Sequence, residues 1–154
     1  MNTVERATAL ESLQSLVNQS LVYGIKSPDT ELYDFGFAKA SEYENGRDKQ
    51  QREFDLVVHC VCCVRVIRRS VKSVVERYDG DSDYSVFASS IGRLLGLPVK
   101  RVALSDKNDL WLDFGEYWMV LVTFEDDEES WRFFSSGGGT PHMVVTNTKI
   151  ELID

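Results

Sequence analysis

The pair Gly115-Glu116 lies between two nearly continuous apolar runs, 110–114 and 117–124. No other feature constrains the fold of this chain as strongly. A two-residue loop with Gly in first place is the chemistry of a type II′ hairpin, which needs a positive φ there. Counting outward from it sets a register. Phe114 faces Tyr117, Asp113 faces Trp118, Leu112 faces Met119, Trp111 faces Val120 and Leu110 faces Leu121. Successive side chains on a strand point to opposite faces. One face is therefore Leu110, Leu112, Phe114, Tyr117, Met119 and Leu121, and the other carries Trp111, Trp118, Val120, Val122 and Phe124, broken by Asp113. A hairpin apolar on both faces needs cover on both. It is expected inside a sheet, with Trp111 and Trp118 hidden.

The rest of the chain supplies elements to pack around it. Asn2 and Glu5 stand at capping-box spacing, and Leu10, Leu13, Val17 and Leu21 draw one apolar stripe, which predicts an N-terminal helix over 1–24 ended by Gly24 and Pro28. A short strand is predicted over 32–37, followed at 39–53 by a polar, mobile loop with almost nothing to bury. Residues 54–67 form the most β-prone run, and 71–78 a second strand after a turn at Arg68-Arg69-Ser70. Tyr84, Phe87, Ala88, Ile91, Leu94 and Leu95 keep helical spacing until Gly96, predicting a middle helix. Strands follow at 99–104, 130–134, 143–146 and 150–153, the last two after the flexible Gly137-Gly138-Gly139 loop. The expected fold is one α+β domain over 1–154, two helices packed on a mostly antiparallel sheet. Glu31-Leu-Tyr-Asp-Phe-Gly36 echoes Asp109-Leu-Trp-Leu-Asp-Phe-Gly115, which suggests a β-meander in each half.

Composition narrows the setting. With 43% hydrophobic and 27% charged residues the chain can bury a core and does not read as disordered. No apolar run approaches the roughly 20 residues of a membrane helix, and the first ten residues lack a secretory pattern. Three cysteines, crowded at Cys60, Cys62 and Cys63, argue for a reducing, cytoplasmic setting over a disulfide framework. The formal charge of −8 disfavours nucleic acid and anionic membrane and leaves a basic protein partner open.

No catalytic constellation emerges. The two Asp-Phe-Gly triplets lack the phosphate loop, the strand lysine and the catalytic loop of a kinase, and read as strand ends. In the run from His59 to Cys63, alternation places Cys60 and Cys62 on one face and His59 and Cys63 on the other. No second Cys/His pair accompanies them, so neither a metal nor a cofactor is expected. The charges are more informative. Nine acidic residues against Lys107 lie between Asp106 and Glu129, while eight basic and four acidic residues lie between Arg47 and Arg77. An acidic rim of Glu116, Asp126, Asp127, Glu128 and Glu129, with Tyr117, Trp118 and Trp131 nearby, fits a basic partner by complementary fields and aromatic anchors.

From Phe54 onward a set of motifs stands out: His59, then Arg65-Val66-Ile67, Glu129-Ser-Trp-Arg-Phe-Phe134 and Pro141-His142-Met-Val-Val145. In these the chain resembles a family of small uncharacterised bacterial proteins like those found beside toxin genes. That resemblance implies an immunity or interaction role and brings no activity with it. The expectation is therefore a non-enzymatic cytoplasmic binding protein, an immunity protein that neutralises a basic toxin through the acidic rim. The alternative is a small enzyme or ligand-binding domain with a polar pocket around His59, Arg65 and His142, joined by Arg132.

Overall fold

The computed structural model describes residues 2–27, 30–39, 56–69, 73–78 (backbone only), 87, 91–135 and 141–153. In chain order these form β1 (Asn2–Thr3), α1 (Arg6–Leu13), a 3₁₀ turn (Gln14–Leu16), β2 (Gln19–Lys26), β3 (Tyr33–Lys39), β4 (Leu56–Cys60), β5 (Cys63–Arg68) and β6 (Ser73–Tyr78). There follow β7 (Arg101–Leu104), β8 (Leu110–Asp113), β9 (Tyr117–Val122), β10 (Trp131–Ser135), β11 (His142–Val145) and β12 (Ile150–Ile153). The strands make a seven-stranded sheet, β1-β12-β11-β10-β4-β3-β2, and a five-stranded sheet, β6-β5-β9-β8-β7, and every pairing between them is antiparallel. Both sheets feed one apolar core, in which Tyr33, Phe35, Phe37 and Val58 meet Val64, Val66, Leu110, Leu112, Met119 and Leu121.

The hairpin adopts the register its turn dictates. Leu110, Trp111, Leu112 and Asp113 pair with Leu121, Val120, Met119 and Trp118, and Phe114 N–H donates to Tyr117 O across 2.9 Å. Gly115 has φ 97°, the positive value the turn requires. β9 is the central strand of its sheet. The inner face is covered. On the outer face Val120 is buried, whereas Trp111 and Trp118 are only half-buried, so the expectation that they are hidden is met in part.

The N-terminal helix is shorter than its apolar stripe. Asn2 belongs to β1, paired with β12, and the helix cap is Glu5, without a side-chain capping bond. Ala9, Leu13 and Leu16 bury the inner side of α1 and its 3₁₀ extension. Asn18, at φ 72°, then turns the chain into β2, so Leu21 packs from a strand and not from a helix. Asn is among the few residues that tolerate this left-handed conformation. Of the predicted middle helix, Tyr84 and Ala88 lie outside the described residues. Phe87, Ile91 and Leu94 are buried, with Phe87 meeting Tyr33 edge-on at 4.9 Å between ring centroids. Phe87 and Ile91 are also helical, but the residues between them lie outside the described ones, so α1 is the one helix whose span is described where two were expected. Apart from Lys39, which closes β3, the predicted 39–53 loop also lies outside the described residues, as does Gly137-Gly138-Gly139.

The single long strand expected over 54–67 is two strands in two sheets. β4 pairs with β3 and β10, whereas β5 pairs with β6 and β9, and the chain crosses over at Val61 and Cys62. The opposing strand crosses at the same corner, between Val122 and Trp131. There Val61 N–H donates to Ser130 O at 3.1 Å, and the buried Ser130 hydroxyl accepts Phe124 N–H at 3.0 Å.

These crossings make the two halves alike. In the first, β2, β3 and β4 form a meander and β5 and β6 pass to the other sheet. In the second, β7, β8 and β9 form a meander and β10 and β11 pass back. The orders β2-β3-β4-β10-β11 and β7-β8-β9-β5-β6 correspond strand for strand. The repeated Asp-Phe-Gly falls at matching places. Asp34 in β3 lies opposite His59 of β4, and Asp113 in β8 lies opposite Trp118 of β9.

Candidate functional site

Three features face outward from this frame. The first is the acidic loop. Two residues, Val61 and Cys62, join β4 to β5, but residues 123–130 join β9 to β10, so the second crossing carries an excursion. Glu125, Asp126, Asp127, Glu128 and Glu129 are all exposed on it. Asp127 anchors the loop: its Oδ1 accepts from Thr146 Oγ1 at 2.6 Å and Thr148 Oγ1 at 2.5 Å, and Lys149 Nζ lies 3.3 Å from Oδ2. These hydrogen bonds, led by Thr146, and the lysine hold its carboxyl at about 2, below the ordinary 3.8. Asn147 Nδ2 donates to Glu125 O at 2.8 Å and ties down the other end.

Glu116 does not share this surface. It lies in the turn before β9, and the six-residue strand puts roughly 20 Å between it and the loop. It pairs instead with Arg68 at 3.4 Å. The aromatics expected beside the acids are elsewhere too. Trp131 is buried at 1% exposure, its Nε1 donating to Asn108 O at 2.9 Å. Trp118 sits beneath arginines. The continuous acidic-aromatic rim is therefore corrected to a separate acidic loop.

The second feature is the outer face of the seven-stranded sheet. Antiparallel register sets Asp34, His59 and Arg132 side by side on β3, β4 and β10. His59 Nε2 lies 3.1 Å from Asp34 Oδ1, and each side chain is about a third exposed. The contact is a close approach and not an aligned hydrogen bond, since Oδ1 is out of solvent with no hydrogen-bond donor aligned on it. Arg132 bridges to Glu129 at 2.5 Å through Nη2 and donates through Nη1 to His142 Nδ1 at 3.1 Å. Phe134 separates the imidazoles, meeting His59 edge-on with centroids 4.9 Å apart and stacking on His142 at 4.2 Å. Three of the four expected pocket residues thus converge. Arg65 does not: it lies on β5, opposite Val120, in the other sheet.

An imidazole beside a carboxylate is half of a general base, but among the described residues no Ser, Thr or Cys hydrogen-bonds to either histidine. Nor does any group of three or more His, Cys, Asp and Glu converge for a metal ion among the described residues. Cys60 and Cys62 are buried and Cys63 half-buried, so the expected alternation persists across the break between strands. Burial pushes the Cys60 thiol up, which leaves it a poor nucleophile.

The third feature is the outer face of the five-stranded sheet. Ile67, Arg69, Trp111 and Trp118 line an open groove of about 350 Å³. The indoles meet edge-on, centroids 5.6 Å apart. The Arg69 and Arg101 guanidinium carbons lie 5.9 and 5.1 Å from the Trp118 ring centroid. Both also approach the buried Asp113 carboxylate, at 3.5 and 3.8 Å, while its other oxygen accepts Gly115 N–H at 2.7 Å. Arg69 was read only as a turn residue and Arg101 was not singled out, because they are far apart in the chain and meet only through strand pairing. The repeated Asp-Phe-Gly was the available signal, since both of its aspartates organise an outer face.

No family model, curated protein or solved structure matches this chain. No helix among the described residues is long and apolar enough to cross a membrane.

Proposed function

We propose that the protein is a non-enzymatic binding protein that engages a basic protein partner through residues 125–129. The observation that carries this reading is the inserted acidic loop at the corner where the sheets part, pinned through Asp127 while Asp126 and Glu128 point outward. A pinned loop loses less conformational freedom on binding than a free one, and concentrated charge speeds encounter. Neutralisation of a basic toxin in the cytoplasm is the form of this role that the toxin-neighbour resemblance suggests. The test compares wild type with an Asp126→Lys/Glu128→Lys variant as baits in the native extract. Wild type should retain a basic protein that the variant releases, with an unchanged melting temperature. An identical retained set from both baits refutes the reading.

A second reading is favoured by the convergence of His59, Arg132 and His142, which offers a shallow polar-aromatic face to a small anionic ligand. It predicts that His59→Ala abolishes stabilisation by that ligand, while the loop reversals leave it intact.

A further inference from the structure

The groove at Trp111 and Trp118 is a second surface, opposite in character to the acidic loop. Its floor is aromatic and aliphatic, with the two half-exposed indoles and Ile67. Its border is cationic: the Arg69 and Arg101 guanidinium groups flank Trp118. Among the described residues these two cations face one carboxylate, Asp113, so positive charge is in excess at the groove on a chain of net charge −8. The guanidinium groups of Arg69 and Arg101 are already oriented, by Asp113 below and the ring of Trp118 beside them. Tryptophan and arginine at an open, apolar-floored site are the residue types that dominate binding hot spots.

From this charge complementarity we infer that the groove is a docking site for an acidic segment of a protein partner, with an apolar side chain seated between the indoles and flanking carboxylates on Arg69 and Arg101. Single-stranded nucleic acid also stacks on aromatics beside cations, but it carries a phosphate at every step and needs a groove lined with cations along its length, whereas here two oriented guanidinium groups stand on either side of one ring. A peptide carboxylate needs only the two guanidinium groups, and 350 Å³ suits one or two side chains.

The test uses three probes of equal length: a peptide of glutamates around a central leucine, its lysine counterpart, and oligothymidylate. Binding is followed by tryptophan fluorescence at low salt, with sedimentation run in parallel. The glutamate peptide should perturb emission and bind at least about tenfold more tightly than either alternative, and added salt should weaken it. Arg69→Gln/Arg101→Gln should lose about tenfold in affinity while keeping a native circular-dichroism spectrum, with a lowered melting temperature because the buried Asp113 carboxylate loses both cations. Asp126→Lys/Glu128→Lys should bind the peptide as wild type does, so failure here is distinguishable from failure of the acidic-loop reading. Tighter binding of oligothymidylate or of the lysine peptide overturns the inference. So does insensitivity to the arginine changes, or sedimentation showing the groove filled by a second copy of the chain.

Discussion

Arg132 holds His142 in one tautomer. Its Nη1 donates to Nδ1 across 3.1 Å, and a guanidinium has no acceptor to offer in return. The ring must therefore keep Nδ1 bare and carry its proton on Nε2. In wild type at neutral pH, ¹⁵N spectra should show that single tautomer. Arg132→Leu should give a tautomer mixture, at a stability cost of about 1 kcal/mol or less, because the pair with Glu129 is partly exposed.

Asp127 carries an acid-side contribution to stability. Its folded carboxyl titrates at about 2 against an ordinary 3.8, so the unfolded chain binds more protons between those values. The contribution is complete above 3.8 and is lost as the pH falls toward 2. Asp127→Asn should melt below wild type at neutral pH, and the gap should close on acidification through that window. A gap constant with pH would show that the Thr146, Thr148 and Lys149 contacts do not favour the charged form.

Trp131 ties the two sheets together, since it lies in β10 and its Nε1 reaches Asn108 O in the turn before β8. Trp131→Phe removes part of a fully packed ring and leaves that carbonyl without its donor. Urea denaturation should show a loss of about 1–3 kcal/mol.

At Gly115 the φ of 97° is the obstacle to any side chain, whereas the nearest atom to an added Cβ is the flexible end of Lys100 at 3.1 Å. Gly115→Ala should therefore cost about 1 kcal/mol from backbone strain, with the hairpin register retained. Cross-strand amide contacts between Trp111 and Val120 give the readout.

The thiols should separate by burial. Iodoacetamide should modify Cys63 in the native protein and reach Cys60 and Cys62 only on unfolding, since both are buried and the Cys60 thiolate is further disfavoured. Mass spectrometry with and without denaturant resolves the order.

How much of this was legible depended on the range of the interaction concerned. The register from Leu110 to Leu121 followed from Gly115 and alternation, because a two-residue turn leaves strand pairing no freedom. The meander echo was visible in one short match, although the exchange of strands between the halves was not. The stripe from Leu10 to Leu21 overran its helix because Leu21 is equally suited to a buried strand, and only Asn18 marked the break. The crossing at Val61 and Cys62 left no trace, since a strand that changes sheets stays apolar throughout. His59, Arg132 and His142 lie on one outer face while Arg65 does not. That distinction rests on β4 and β5 belonging to different sheets, a long-range pairing that local pattern does not encode.

The exchange of strands has a consequence for any attempt to dissect the molecule. A polypeptide divided between β6 and β7 would strip β10 from the flank of β4 and β9 from the flank of β5 at once. Neither fragment would stand as an autonomous folding unit, and native structure should return only when both are mixed and complement each other.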